Sequence, residues 1–394
     1  MGRGERGRRL LDALRAAWRA RHRSLQLAFG VSVAVALLRV VAGAAPEWTE
    51  WLYSRGLYPS IQRALGGVSG LSPWSLGELG LLALAVLVVV RIARIVRERV
   101  RGTGGALGLA CEESLRALTF ASWLVSFYLL AWGLNHARLP YAHGTGLDVR
   151  DASAQELEDA TREWLRRAQD SRALLSESAD GTVAIDGDFE QLASAVTRAW
   201  HAAGTTDARL AGPPPVLRDC SLSLAMKLGG ISGIYWPFTA EPHVNTLPPV
   251  PQRVFSALHE VAHQRGFARE DEANFLAVHV GSGSGDPALA YSVALVAFRE
   301  LHRALRSAAP ERATQVAQAL PAPLRRDIDA AIAFWTPRSA AQQAVRSLST
   351  SVNDTYLKSQ GQRHGVASYG RMVDLLLAER RPRTSPASQA DPKR

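Results

Sequence analysis

Two histidines and several carboxylates lie close together in the stretch HEVAHQRGFAREDEANF, residues 259–275. His259 and His263 are four residues apart, a spacing that on a helix places both imidazoles on one face, within reach of one metal ion. Glu260 lies at the edge of that face, where its carboxylate can take a proton from water at the metal. The pattern HExxH is typical of zinc hydrolases. It predicts a Zn²⁺ site with the two histidines as ligands and Glu260 as the catalytic base.

Zinc in a catalytic site needs a third protein ligand and an open position for water or substrate. Gly266 is expected to end the histidine helix, and a second helix is expected to begin near Arg269. Two carboxylates of that second helix, Glu270 and Glu272, compete for the third position. Glu270 shares its helix face with small residues that would allow close packing, whereas Glu272 lies beside large apolar ones. We therefore predict Glu270 as the metal ligand, with Asn274 one turn on as a partner that orients a ligand.

Residues 234–245, IYWPFTAEPHVN, combine aromatic and β-branched residues with two prolines. Because proline is excluded from central strands, the segment is predicted to be an edge strand or an extended loop beside the histidine helix. An edge strand at that position can bind an extended peptide by strand addition, with Tyr235, Phe238 and Glu241 lining the cleft. The alternative is an apolar loop that packs over the helix. His243 is expected to have a structural role rather than to bind the metal.

Three apolar stretches precede this region and predict transmembrane helices at 24–45, 73–90 and 117–134. Each is close to the roughly 20 residues that cross a bilayer. Arginine is abundant in residues 1–23 and in 91–101, whereas the loop 46–71 has only two arginines and carries tryptophans suited to a membrane interface. By the positive-inside rule, the N-terminus and the second loop are cytoplasmic. Everything after residue 135 is then expected at the outer face of the membrane.

The chain has 394 residues and a formal net charge of +10 at pH 7, a balance that nucleic-acid-binding proteins share. Here much of the basic excess flanks apolar segments, and no nucleic-acid-binding module is recognisable. The charge therefore indicates membrane orientation, and no nucleic-acid partner is expected. The two cysteines, Cys111 and Cys220, are far apart and lie in different parts of the expected topology. They predict neither a disulfide nor a cysteine zinc site.

Further blocks of the sequence carry a resemblance to known families. The HExxH stretch, GISGIYWPFTAEPHVN (230–245) and the C-terminal VNDTYLKSQGQ and SYGRMVDLLL resemble a bacterial family of membrane-anchored HExxH proteins, a domain of unknown function. The HExxH motif followed by ExxxN also resembles gluzincin zinc metallopeptidases, in which an aspartate stands at the position of Asn274. These resemblances imply a zincin-like metallohydrolase. They also imply that Tyr369 stabilises an oxyanion near the metal. The alternative is that this tyrosine only packs against its neighbours.

We therefore predict a mainly α protein with three N-terminal transmembrane helices, followed by a mostly helical zincin-like metallohydrolase domain with a small edge-strand element. The predicted parts are a basic cytoplasmic N-terminus (1–23), a membrane domain (24–135), a helical spacer (136–215), a catalytic domain (216–380) and a disordered tail (381–394).

The predicted function is a zinc metallopeptidase, anchored in the bacterial inner membrane, that cleaves a peptide or protein substrate outside the cytoplasm. A cell-wall amidase is one alternative. A non-catalytic membrane protein, whose outer domain binds a ligand or partner and holds a structural metal, is the other.

Overall fold

The computed structural model describes residues 3–101, 106–362 and 371–383, with the backbone alone for 3–21 and 106–111. Tyr369 and most of the expected tail lie outside the described residues. The protein is mainly α-helical, as predicted. Its helices are α1 (Arg3–Ala44), α2 (Pro46–Trp48), α3 (Tyr58–Gly70), α4 (Leu76–Val100), α5 (Ala106–Ala131), α6 (Ala154–Arg172), α7 (Phe189–Thr206), α8 (Ser223–Gly229), α9 (Val250–Gln264), α10 (Glu270–Ser282), α11 (Pro287–Ala308), α12 (Pro310–Gln318), α13 (Ala322–Trp335), α14 (Ala340–Ser359) and α15 (Met372–Arg380).

The strands are short and form two small sheets. They are β1 (Ser176–Glu177), β2 (Val183–Ala184), β3 (Arg218–Asp219), β4 (Gly233–Trp236) and β5 (Glu241–Val244). β1 pairs with β2, and the second sheet has the order β3-β5-β4, with β5 parallel to β3 and antiparallel to β4.

The predicted edge strand is confirmed for β4 but is wrong for β5, which contains Pro242 and lies in the centre of its sheet. β3 pairs only with His243 and Val244. Pro242 therefore lies beyond the end of that pairing, where its missing N–H removes no bond to β3. The shortness of β3 is the reason that a central strand tolerates this proline.

Three helical segments are long and apolar enough to cross a bilayer, which confirms the three predicted spans. They are His22–Ala44 in α1, Leu76–Val100 in α4 and Glu112–Ala131 in α5. α1 packs on α5 through small residues: Ala28 is fully buried, and Ser32 Oγ lies 3.0 Å from Ser126 Oγ. Small and hydroxylated residues at such contacts let membrane helices approach closely. Residues 79–90 of α4, in contrast, are exposed all round.

The segment 46–71, expected to be a loop, is helical. α2, a π-helical stretch (Thr49–Leu57) and α3 follow one another directly, and Pro46 and Pro59 stand in the first turns of α2 and α3. Proline favours that position because its missing N–H would be unbonded there in any case. Trp48 and Trp51 are exposed on this segment, whereas Tyr53 and Tyr58 are buried. It therefore has an outer apolar face and an inner face that packs on the rest of the protein.

In the described part of the chain after residue 135, a large hydrophobic core is shared by α6, α7, α9, α10, α11 and α15. α6 begins with a capping box between Ser153 and Glu156 and packs along α11. The expected spacer, 136–215, thus contributes its two helices to the same core as the HExxH region. α9 crosses this core, and every residue from Ser256 to Gln264 is buried.

Candidate metal centre

α9 and α10 are joined by a tight turn that brings their polar residues together. Pro251 stands in the first turn of α9, and the helix ends at Gln264. Gly266 follows with a φ of 84°, and the Phe267 N–H donates to Ala262 O at 3.1 Å. Glycine suits this left-handed position because it has no Cβ. α10 then begins at Glu270, as the sequence predicts.

The turn places Glu270 directly opposite the two histidines. Its Oε2 lies 3.3 Å from His259 Nε2 and 3.6 Å from His263 Nε2. The ligand atoms that His259, Glu260 and His263 offer lie within 4.8 Å of one another. All four side chains are buried, with residue exposures of 4–8 %. The structure therefore gathers two imidazoles and two carboxylates into one buried cluster.

The hydrogen bonds of this cluster suit a cation. His263 Nδ1 lies 2.8 Å from Phe267 O, so that nitrogen carries the proton and Nε2 is left with its lone pair. Among the described residues, neither Glu270 Oε2 nor His259 Nδ1 has a hydrogen-bond partner. A buried carboxylate oxygen that faces two imidazole nitrogens at 3.3 and 3.6 Å, without a well-formed hydrogen bond to either, is a costly arrangement that a metal ion would relieve. Two nitrogens and one carboxylate oxygen also match the ligands of a catalytic zinc site.

The charges of the cluster depend on one another. Burial opposes ionisation of Glu270, but His263 and His259 outweigh it and hold the pKa of this carboxyl well below its usual range. Burial likewise disfavours a charged His263, yet the Glu270 carboxylate raises the pKa of that imidazole to about 9. In the absence of metal, His263 is therefore protonated and pairs with the ionised Glu270 carboxylate. A divalent cation would displace that proton, since metal and proton compete for the same lone pairs.

Glu260 lies against strand β4 rather than between the histidines. A Cβ at Gly233 would lie 2.6 Å from Glu260 Oε1 and 2.8 Å from its Cγ, so only glycine leaves room there. The backbone of Tyr235 also donates to the Glu260 carboxylate. Burial raises the pKa of Glu260, which favours a group that can both accept and return a proton.

Glu272, the competing third ligand, is directed elsewhere. Its Oε1 accepts from the Tyr141 N–H at 2.9 Å and lies 3.6 Å from Arg269 Nε. Burial raises its pKa to about 7. Asn274, the expected orienting partner, is buried one turn after Glu270. The helix phase expected from the small residues of α10 thus agrees with the position of Glu270.

The three residues expected to line a substrate cleft lie elsewhere. Glu241 is fully buried, and its carboxylate accepts from the Gly77 N–H at 2.8 Å and from Arg218 Nε at 3.0 Å. Tyr235 is buried with its hydroxyl 3.4 Å from that of Tyr58. Phe238 stacks on Phe127 of α5 at 5.9 Å. Gly77, Tyr58 and Phe127 belong to the membrane domain, so these three residues join the sheet to that domain and do not form the expected cleft wall.

His243 has the structural role that was expected. Its Nε2 lies 2.7 Å from Ser75 Oγ, and its Nδ1 lies 3.1 Å from Glu241 O. These partners stand at the first turn of α4 and within β5. The imidazole therefore joins the second membrane helix to the sheet, away from the buried cluster of His259, Glu260, His263 and Glu270.

No pattern in the sequence predicted the residues that bind the C-terminal end of α9. Trp132 Nε1 donates to His263 O at 2.9 Å, and the Tyr58 hydroxyl donates to Gln264 O at 2.7 Å. Arg138 donates to Gly266 O at 3.1 Å and pairs with both carboxylate oxygens of Glu50. Trp132, Tyr58 and Glu50 all come from the membrane domain. The buried cluster is therefore fixed against the membrane domain.

The same side of the cluster holds a set of hydroxyl and imidazole groups. The Tyr356 hydroxyl of α14 lies 2.6 Å from the Tyr128 hydroxyl of α5 and 3.3 Å from His136 Nε2. The Trp132 ring lies 5.1 Å from the ring of His136 and 6.1 Å from that of His263. α14 therefore contacts α5 close to the buried cluster, with the Trp132 ring in contact with both His136 and His263.

A separate cavity of about 890 Å³ lies at the N-terminal ends of α7, α9 and α11. Arg253, Phe189 and Leu289 are among the residues that line it, but no residue of the metal cluster is. The cavity is therefore separate from the buried cluster.

A protein family described as "Protein of unknown function (DUF3810)" matches residues 53–377. The chain belongs to this family. No curated protein and no solved structure matches the chain. The DUF3810 match begins within the helical segment 46–71 and runs through two of the three membrane helices to α15. The family unit therefore contains both the metal cluster and the membrane elements that hold it.

Proposed function

We propose that this DUF3810 protein is a membrane-anchored zinc metallohydrolase, and that it cleaves amide bonds as a peptidase. The observation that carries the proposal is the convergence of two Nε2 atoms and the orphaned Glu270 Oε2, with a second carboxylate, Glu260, beside them. His259, His263 and Glu270 would hold the ion. When bound, zinc supplies Lewis acidity towards a carbonyl and lowers the pKa of water to about 7.

Glu260 acts as the proton carrier in this proposal. Its carboxylate takes a proton from the attacking water and then gives that proton to the leaving amine. Burial favours the protonated form of this side chain, so the proton is held between the two steps. His263 Nδ1, bonded to Phe267 O, keeps the imidazole in the orientation and tautomer that a metal ligand needs.

Two features favour peptide substrates. β4 is the edge strand of its sheet and lies directly against Glu260, so an extended peptide can pair with it beside the reacting groups. HExxH followed by a carboxylate helix also resembles the gluzincin peptidases. A cell-wall amidase would use the same cluster. A purely structural metal would have no use for a base beside three ligands, and structural zinc sites commonly have four protein ligands.

The test is the variant Glu260→Gln in the full-length protein. It removes the base and leaves the three expected ligands, so bound zinc should stay near the wild-type amount while hydrolysis of a quenched-fluorescent peptide library is lost. Glu163→Gln, on the surface of α6, is the matched control and should keep both. Turnover at the wild-type rate in zinc-loaded Glu260→Gln would contradict the proposal.

We further propose that the cluster lies on the outer side of a bacterial inner membrane. The support is the arginine asymmetry between the loops, combined with an odd number of candidate spans before residue 135. Alkaline phosphatase, which works only outside the cytoplasm, should be active when fused after residue 140. Activity of a cytoplasmic reporter at the same position would reverse this topology.

A further inference from the structure

An exposed apolar surface adjoins the metal cluster, outside the membrane helices. α14 carries exposed Val345, Leu348 and Val352, at 47 %, 67 % and 61 % exposure. Their spacing of three and four residues puts them in one stripe along the helix. Tyr356, one turn further on, continues the stripe and makes the contacts to Tyr128 and His136 described above. The stripe therefore ends beside the metal cluster.

A second exposed apolar surface reaches the cluster from the other direction. α8 packs on α14, and Ser349 and Arg346 lie against Gly229 and Gly230 at the end of α8. The chain then continues directly into β4. Ile234 of β4 is 40 % exposed and follows Gly233, the residue in contact with Glu260. We use the name apolar groove for these two surfaces together. They are residues 345–356 of α14 and residues 228–234, which include the edge of strand β4.

The far end of β4 leads to the membrane helices. A Cβ at Gly77, in the first turn of α4, would lie 2.7 Å from the Trp236 ring, so the two chains are in close contact. The Trp236 ring lies 5.6 Å from Phe238, which stacks on Phe127 of α5. A chain paired along β4 would thus pass from Glu260 towards the outer ends of α4 and α5.

We infer that the apolar groove binds the substrate, and that the substrate is an apolar, extended segment of a membrane protein close to where it leaves the bilayer. This inference rests on the proposed function, since it names the substrate class of the same site. β4 is the edge strand of its sheet, and among the described strands only β5 pairs with it. The Tyr235 N–H bonds the Glu260 carboxylate, and the other backbone groups of this edge favour a strand as the occupant, because lipid chains offer no hydrogen-bond partners. The exposed side chains of Ile234 and of the α14 stripe then favour apolar residues on either side of the scissile bond.

Binding is tested in full-length protein in phosphatidylcholine nanodiscs, loaded with zinc and carrying Glu260→Gln to prevent cleavage. The probes are two fluorescent peptides with lysines at both ends, one with a Leu/Val centre and one with a Ser/Gln centre. We expect the Leu/Val peptide to bind at least about tenfold more tightly, because each fully buried Leu or Val side chain contributes roughly that factor. Leu348→Gln with Val352→Gln should remove the preference.

Ile332→Gln is the matched control, because Ile332 is a similarly exposed residue (52 %) on α13. It should leave the preference unchanged, and partition of the peptides into the nanodisc is the same for all variants. Equal binding of both peptides, or an unchanged preference in the Leu348/Val352 double variant, would overturn the inference.

A bimane label at Leu348→Cys decides between substrate and bilayer as the occupant. We expect that lipid-borne quenchers leave its fluorescence unchanged, and that the Leu/Val peptide shifts its emission to the blue. Strong quenching by lipid in the absence of peptide would show that the bilayer covers the stripe, and would overturn the inference.

Failure of the inference and failure of the proposed function give different results. If wild-type protein cleaves Leu/Val and Ser/Gln peptides equally, with no effect of the double variant, the substrate class is wrong and the hydrolase stands. If no peptide is cleaved but the Leu/Val peptide binds through Leu348 and Val352, the apolar groove is supported and the hydrolase proposal fails.

Discussion

Gly233→Ala tests the contact between β4 and the Glu260 carboxylate, the proposed proton carrier, without removing any functional group. The added methyl would lie 2.6 Å from Glu260 Oε1, 2.8 Å from Cγ and 3.0 Å from Cδ. Carbon atoms in contact prefer about 3.5 Å or more, so the Glu260 side chain or β4 must move by roughly 0.7 Å. Glu260 cannot swing into solvent, because it is only 4 % exposed. Displacements near 1 Å can lower turnover by about 100-fold.

The expected result is a kcat lower by about ten- to hundredfold, together with a loss of about 1–3 kcal/mol of stability from overpacking. Bound zinc should stay at the wild-type amount, because none of the three ligands contacts Gly233. Turnover of a cleaved peptide, chemical unfolding and metal content give the three readouts. Gly283→Ala is the control, since its nearest neighbour would be 3.5 Å away. Unchanged turnover and stability in Gly233→Ala would refute the close contact.

The remaining predictions concern the junction between the membrane domain and the part of the chain after residue 135. Glu241→Gln should cost about 1–3 kcal/mol in chemical unfolding, because it removes the charge of a fully buried carboxylate that bonds Gly77 and the half-buried Arg218. Exposed Asp159→Asn should cost less than about 0.5 kcal/mol. Arg138→Met should destabilise to a similar extent, and adding Glu50→Gln should recover part of the loss, because the double variant leaves no unpaired charge. A chain that begins at residue 136 lacks the Tyr58 and Trp132 hydrogen bonds to α9. Mass spectrometry should therefore find less than one-tenth of the zinc that the full chain binds. Full zinc binding would show that α9 is held without the membrane domain.

The elements that local patterns specify could be predicted from the sequence. The apolar spans, the helix that carries HExxH and the left-handed Gly266 depend on residues within a few turns of one another. The position of Glu270 beside the histidines follows from the same local information. The small residues of α10 face α9, and a helix that begins at Arg269 can present only one of the two carboxylates.

The contacts between distant segments could not be predicted. Glu241 carries the charge and the position expected of a substrate-binding residue, but it bonds the first turn of α4, 164 residues earlier in the chain. Phe238 and Tyr235 are likewise used at this junction. The segment 46–71 has a loop-like composition, yet it folds because its buried face packs on Trp132, Tyr235 and Ala268. Tertiary contacts therefore override local preference at the junction.

The central claim is that His259, His263 and Glu270 hold a metal and that Glu272 does not. The most direct measurement is the zinc affinity of full-length protein, by chelator competition, for the isosteric pair Glu270→Gln and Glu272→Gln. Loss of a ligand should weaken binding by roughly 100-fold or more, since changes even to residues behind the ligands cost 10–100-fold. We expect this loss for Glu270→Gln, and an affinity within about tenfold of wild type for Glu272→Gln. Wild-type affinity in Glu270→Gln would contradict the proposed metal centre.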